Sequence, residues 1–261
     1  MNTILIAVLV VAVIGLIIGL VLAIASIVMA VPKNEKAEAV LEVLPGVNCG
    51  ACGYSGCAGY AEALANYEAE ANLCAPGGAE VATAVSQVLG VEVGSMVRTS
   101  ALVQCMGTCE NTEKSMEYQG VSSCSSAVQL YGGTGKCNYG CMGFGDCKSA
   151  CEYDAIELCN GIAVINPNMC KACKKCVTAC PKNIITMVEV KKVARVLCSN
   201  KDKGGITRKA CKVGCIGCMK CVKTCPVNAI KVENFLARID ENLCTGCEEC
   251  TKVCPQHCIV I

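Results

Sequence analysis

The hydrophobic pattern of this chain changes character several times. Residues 4–31, ILIAVLVVAVIGLIIGLVLAIASIVMAV, carry no charged side chain. At about 1.5 Å per residue, a helix of that length exceeds the roughly 30 Å hydrocarbon core of a bilayer. A cleaved signal peptide has a basic leader and an apolar stretch of roughly 7–15 residues. Here no Lys or Arg precedes the run, and the run is longer, so the pattern predicts a retained transmembrane helix. Pro32 closes it, and Lys33 and Lys36 follow. The positive-inside rule then puts the rest of the chain in the cytoplasm. Ala7, Gly15, Gly19 and Ala23 fall on one stripe of the helix, where a membrane partner could approach closely. Further on, residues 58–73 show helical spacing, with Tyr60, Leu64 and Tyr67 on one face. The remainder reads as short segments punctuated by cysteines. An isoleucine recurs five positions after certain of them, at Ile156, Ile185, Ile230 and Ile259.

Composition changes the picture. The 261 residues include 27 cysteines, but only two Phe, seven Tyr and no Trp. So few large side chains make a thin core, and something else must organise the fold. The odd cysteine count and the tight clustering fit a disulfide framework poorly and metal ligation well. Free thiolates also imply a reducing compartment. The net charge of +1 hides an asymmetry. Residues 1–130 carry 4 basic and 11 acidic side chains, whereas residues 131–261 carry 19 and 11. The basic half has few aromatics on which bases could stack, which argues against nucleic acid. Its lysines either offset the charge of metal–thiolate clusters or form a docking face for an acidic protein. The candidates are Lys171, Lys174, Lys175 and Lys182, and separately Lys212, Lys220 and Lys223.

Four segments carry a ferredoxin-like pattern. Three share C-x2-C-x2-C-x3-C-P: Cys170/Cys173/Cys176/Cys180, Cys215/Cys218/Cys221/Cys225 and Cys244/Cys247/Cys250/Cys254. The first, Cys137/Cys141/Cys147/Cys151, reads as a stretched version with Glu152 in place of the proline. Cys151 to Cys180 and Cys225 to Cys254 both span 29 residues, so two copies of a paired unit follow one another. In this motif three thiolates wrap one cubane and the fourth ligates its neighbour. The spacing therefore predicts four [4Fe–4S] clusters. They are Cys137, Cys141, Cys147 with Cys180; Cys170, Cys173, Cys176 with Cys151; Cys215, Cys218, Cys221 with Cys254; and Cys244, Cys247, Cys250 with Cys225. Zinc normally takes two C-x2-C pairs, to which a third cysteine at the same interval is surplus. Upstream, Cys49, Cys52 and Cys57 lie in a loop with Gly50, Gly53 and Gly56, and the 58–73 helix returns the chain so that Cys74 completes a fifth cluster. His257 reads as a corner residue rather than a ligand. The GFGDC stretch lacks the third glycine of a dinucleotide fingerprint.

An apolar anchor, then C-x2-C-x4-C-x16-C, then ferredoxin repeats, resembles the B subunit of the Rnf complex along the whole chain. The resemblance implies an α+β fold: a membrane anchor (1–31), a small helical four-cysteine domain (32–90), and two two-cluster ferredoxin modules (131–190 and 213–261). Two connecting segments (91–130 and 191–212) contribute ligands. It implies a cytoplasmic electron relay in a membrane-bound ferredoxin:NAD+ oxidoreductase coupled to Na+ or H+ translocation. Reduced ferredoxin would be the donor, residues 4–31 would hold the membrane, and the other subunits would carry flavin and NAD+ chemistry. It further implies a sixth [4Fe–4S] cluster from Cys105, Cys124, Cys198 and Cys211. Cys258 reads as packing, because Ala229 holds the same place in the preceding repeat. Cys109 and Cys159 remain as buried or free thiols. The rival readings are a polyferredoxin subunit of another membrane complex, such as a hydrogenase, and a membrane-anchored sensor or cluster scaffold.

Overall fold

The computed structural model describes residues 2–28, 34–94 and 96–261. Helix α1 (Asn2–Val28) is the long apolar element, and the stretch Val8–Ser26 has the length and composition to cross a bilayer. Leu9, Leu16 and Leu22 on it stay exposed. Residues 29–31, Pro32 and Lys33 lie outside the described residues.

The first folded unit holds three helices: α2 (Glu35–Val43), α3 (Cys57–Ala65) and α4 (Gly78–Leu89). Asn34 caps α2 by accepting from the Lys36 amide at 3.1 Å, and Glu35 and Glu38 complement the helix dipole in its first turn. The helices close over Val40, Leu44, Tyr60, Leu64 and Val85. The helix expected over 58–73 is shorter than its periodicity suggests. It ends at Ala65, Tyr67 turns left-handed at φ 58°, and the Glu68 amide donates back to the Ala63 carbonyl at 2.9 Å. Tyr60 and Leu64 are buried while Tyr67 is exposed. The buried Tyr60 hydroxyl donates to the Glu70 carbonyl at 2.6 Å and accepts from the Leu73 amide at 3.3 Å. Those bonds fix the returning loop and require the helix to stop early.

Two modules of one plan follow. The first comprises β1 (Thr99–Val103), α5 (Cys124–Ala127), α6 (Asp146–Ser149), β2 (Ile156–Cys159), β3 (Ile162–Ile165), α7 (Lys175–Ala179) and β4 (Ile185–Glu189). The second comprises β5 (Arg195–Val196), α8 (Gly204–Ala210), α9 (Lys220–Thr224), β6 (Ile230–Glu233), β7 (Leu236–Ile239), α10 (Glu249–Lys252) and β8 (Ile259–Val260). Each has an antiparallel hairpin, β2–β3 or β6–β7, and an antiparallel pair joining its first and last strands, β1–β4 or β5–β8. The registers match: Val103 faces Ile185, and Val196 faces Ile259. The first strand of each module therefore comes from a segment that reads in the sequence as a connector. Ile156, Ile185, Ile230 and Ile259 each open a strand and are 2–5% exposed. Burying one such side chain contributes about 1.5–3 kcal/mol.

Candidate metal centres

In the first unit, Asn48 organises the cysteine loop: its Oδ1 accepts from the Cys57 amide at 2.8 Å. Gly53 (φ 93°) and Gly56 (φ 151°) take backbone conformations that side-chain-bearing residues rarely adopt, and a Cβ on Gly56 would lie 2.9 Å from that Asn48 oxygen. Cys74 then comes close enough to Cys57, Cys52 and Cys49 for their charges to act on it, and burial pushes its thiol up. The structure thus brings Cys49, Cys52, Cys57 and Cys74 together.

Cysteines line cavities in both modules. Cys151, Cys170, Cys173 and Cys176 line one. Cys225, Cys244, Cys247 and Cys250 line another. Cys215, Cys218, Cys221 and Cys254 line a third. In each, three cysteines of one loop meet the fourth cysteine of the neighbouring loop.

Two further cavities differ from the expected grouping. Cys124, not Cys137, lines a cavity with Cys141, Cys147 and Cys180, and both Cys124 and Cys180 act electrostatically on the Cys147 thiol. Cys137 lies instead in a cavity with Cys105, Cys198 and Cys211, whose wall Cys141 also reaches. The reason is the internal repeat. Cys141 to Cys147 to Cys151 has the same spacing as Cys215 to Cys221 to Cys225. The first loop is thus full length, and Phe144 stands where Cys218 stands. The backbone agrees: Gly145, Lys174, Met219 and Glu248, one residue past that position, all have φ between 60° and 89° and all precede the short helices α6, α7, α9 and α10. Cys124 supplies the missing thiol. Asp146 brings it there, its carboxylate accepting from the Cys124 and Ser125 amides at 2.8 and 2.9 Å and from the Ser123 and Ser125 hydroxyls at 3.0 Å. Partial burial works to raise the Asp146 pKa, but these four donors outweigh it and hold the carboxyl below its ordinary value.

By the same alignment Cys137 corresponds to Cys211, and Cys105 to Cys198. The bridging cavity thus takes one equivalent pair from each module. Paired hydrogen bonds mark the symmetry: the Cys141 amide donates to Cys105 Sγ at 3.4 Å, and the Cys215 amide donates to Cys198 Sγ at 3.3 Å. Across the junction, Ser199 Oγ donates to the Gln104 carbonyl at 3.0 Å and Thr112 Oγ1 to the Ala210 carbonyl at 2.8 Å.

The donor sets suit iron–sulfur clusters. The walls are apolar, with Ala163, Ile184, Ala229, Ile239 and Ala237 among the lining. Backbone amides point at sulfur, as Ala101 and Ala172 do to Cys170 Sγ, and Ala229 to Cys225 Sγ, all at 3.4 Å. Such donors stabilise thiolate charge in an apolar site. Zinc takes its thiolates at Zn–S bonds of about 2.3 Å. A cubane separates its four thiolates more widely. Burial pushes Cys105 and Cys147 up to about 12 and Cys176 and Cys221 up to about 11. Metal binding there must displace protons.

Three residues outside the sets also have defined places. Cys258 is buried against Cys254 and Cys215, its Sγ 3.7 Å from Cys254 Sγ, and hydrogen bonding among these sulfurs lowers the Cys254 and Cys215 thiols and raises Cys258. It does more than fill space. Cys109 and Cys159 are exposed free thiols. His257 is an exposed corner at φ 49°, equivalent to Asp154, Asn183 and Asn228.

Three stretches of the chain match known families. Residues 44–76 match the family described as "Putative Fe-S cluster". Residues 214–258 and 169–230 each match a 4Fe-4S dicluster domain. The second of these straddles both modules, although the structure pairs Cys180 and Cys225 with cysteines of their own modules. The B subunit of the Na(+)-translocating ferredoxin:NAD(+) oxidoreductase complex of Acetobacterium woodii is 43% identical over 241 residues, 92% of this chain and 72% of that one. The B subunit of the proton-translocating complex of Clostridium ljungdahlii is 42% identical over 245 residues, covering 93% and 86%. The B subunit of the ion-translocating oxidoreductase complex of Methanosarcina acetivorans is 40% identical over 219 residues, covering 84% and 83%. With its four-cysteine unit, its 4Fe-4S modules and this likeness along nearly its whole length, the chain belongs to the family of B subunits of ion-translocating ferredoxin:NAD+ oxidoreductase (Rnf) complexes.

Proposed function

We propose that the chain is the electron-relay subunit of a membrane-bound ferredoxin:NAD+ oxidoreductase coupled to Na+ or H+ translocation, with six [4Fe–4S] sites in one line. An iron–sulfur cluster, when bound, takes up and passes on one electron with no substrate bond made or broken. The observation that carries the reading is the contiguity of the cysteine sets. Six C-x3-C steps each tie one set to its neighbour: Cys137/Cys141, Cys147/Cys151, Cys176/Cys180, Cys211/Cys215, Cys221/Cys225 and Cys250/Cys254. The four-cysteine unit adjoins the first module, where Lys174 Nζ donates to the Ala51 carbonyl at 3.1 Å and the Cys49 charge acts on Cys173. The order is therefore the set of Cys74, then those of Cys173, Cys147, Cys137, Cys215 and Cys244. Helix α1 anchors the first end, with the cysteine-bearing part in the cytoplasm.

Reduced ferredoxin docks at the other end. Cys218 and Cys247 are exposed there, and the exposed Lys220 and Lys223 flank Cys221. Three first-module lysines serve the fold instead. Lys174 binds Ala51, Lys175 pairs with Glu152, and Lys182 reaches the carbonyls of Gly132 and Asn138. Anaerobically purified protein should be brown and hold about 24 iron atoms, four for each cluster. Ferredoxin should reduce it in stopped flow. Stoichiometric zinc, or about 20 iron atoms with the bridging set empty, overturns the six-site relay.

A further inference from the structure

We propose that Asn200 and Cys258 are potential-setting residues, whose side chains donate hydrogen bonds to ligand sulfurs of two adjacent sites and raise the reduction potentials of both. The proposal rests on the relay reading above. Asn200 is 1% exposed, and its Nδ2 donates to Cys137 Sγ at 3.4 Å. Its Oδ1 accepts from the Asp202 amide at 2.7 Å, which fixes the nitrogen toward the sulfur. Cys258 is also 1% exposed, with its Sγ 3.7 Å from Cys254 Sγ, and it lines the cavity of Cys215, Cys218 and Cys221. Those four cysteines complete a cluster's ligand set. As bound thiolates they carry no hydrogen, so the Cys258 thiol must be the donor.

Both residues depart from the internal repeat. The position of Asn200 in the first module is Gly107, which offers Cys105 Sγ a backbone amide alone, at 3.3 Å. The positions equivalent to Cys258 are Ala155, Ile184 and Ala229. The two extra donors therefore serve neighbouring sets, joined through Cys211 and Cys215. Reduction adds a negative charge to a cluster, and a donor to its sulfur stabilises that charge, so potential rises. Raised potentials at these two sites draw electrons inward from the terminal set of Cys225, Cys244, Cys247 and Cys250 and away from its solvent-exposed edge.

The test is a redox titration of the full chain, purified anaerobically and followed by electron paramagnetic resonance alongside iron content. Cys258→Ala installs the residue that two other repeats already hold. It should keep its iron and move one one-electron wave to lower potential, by about tenfold in the reduced-to-oxidised ratio, or 59 mV. Cys258→Ser keeps a donor and should lie closer to the parent. Asn200→Leu removes the donor without adding a charge and should lower a different wave. Unchanged midpoints at parental iron content overturn the inference and leave the relay intact. Loss of iron in Cys258→Ala makes Cys258 a ligand and also overturns it. A parent chain without iron–sulfur clusters overturns the relay reading itself.

Discussion

In the second ferredoxin module one loop supplies Cys215, Cys218 and Cys221 to a single cavity. In the first, a loop of equal length supplies Cys141 and Cys147 to one cavity, with Phe144 between them and the third thiol arriving from Cys124. Phe144 meets the Tyr118 ring edge-on, with centroids 5.4 Å apart, so apolar surface covers a place that the second module leaves exposed at Cys218. The difference fits position in the chain. The first module is flanked by the four-cysteine unit and the bridging set, whereas the second leaves Cys218 and Cys247 exposed. A ligand position is therefore not tied to a loop position. The cavity fixes where a thiolate must be, and any segment that can be held there will serve.

The largest expected effect comes from breaking the exchange of Cys124 and Cys137. Each serine variant should lose about four of about 24 iron atoms, one cluster's share. Cys124→Ser should empty the site of Cys141, Cys147 and Cys180. Cys137→Ser should empty the bridging site and cut electron passage between the modules. Site-resolved Mössbauer or paramagnetic resonance spectra showing the losses the other way round would refute the grouping. Converting the first module to the pattern of the second sharpens the same comparison. Phe144→Cys placed in Cys124→Ser should restore about four iron atoms, and no recovery would mean that Phe144 and Cys218 are not equivalent.

A smaller effect is expected at Asp146, which holds the Cys124 turn from outside. Asp146→Ala should cost about 1 kcal/mol, in the range of a lost helix cap, read as weaker iron retention at that site under chelator challenge. Because the folded pKa of Asp146 is lowered, its stabilising contribution is full above the ordinary carboxylate pKa of about 4. That contribution is lost as pH falls through the lower folded value. Equal chelator sensitivity of mutant and parent at pH 7 would remove Asp146 from this role. The smallest effect is electrostatic. Charge reversal at Lys220 and Lys223 should slow reduction by ferredoxin at low salt. The difference should fade as the screening length shortens to about 8 Å at physiological ionic strength. Reversal at Lys171 should do less, and equal responses at the two patches would erase the distinction between them.

Much of this was legible in residue spacing. The apolar run of α1, the four-cysteine loop with Gly50, Gly53 and Gly56, the three C-x2-C-x2-C-x3-C-P repeats and the buried isoleucines all depend on neighbours in sequence. The exchange of Cys124 and Cys137 was partly legible too. The signal was the shared spacing of Cys141, Cys147 and Cys151 with Cys215, Cys221 and Cys225, which marks Phe144 as the gap. Treating Cys137 as part of a stretched loop hides it. Tyr67 misled for a related reason, since its helical spacing continues past the point where the Tyr60 hydroxyl turns the chain.

By itself the sequence determined the apolar run of α1 and the cysteine loops of the repeats, because both depend only on residues close together in the chain. Only the tertiary structure decided which distant thiol completes each set. Cys124 and Cys147 meet because Asp146 gathers the Ser123–Ser125 turn. Cys105 and Cys137 meet Cys198 and Cys211 because β1–β4 and β5–β8 bring equivalent corners of two like modules to one junction. Those contacts join residues far apart in the chain, and no local spacing encodes them.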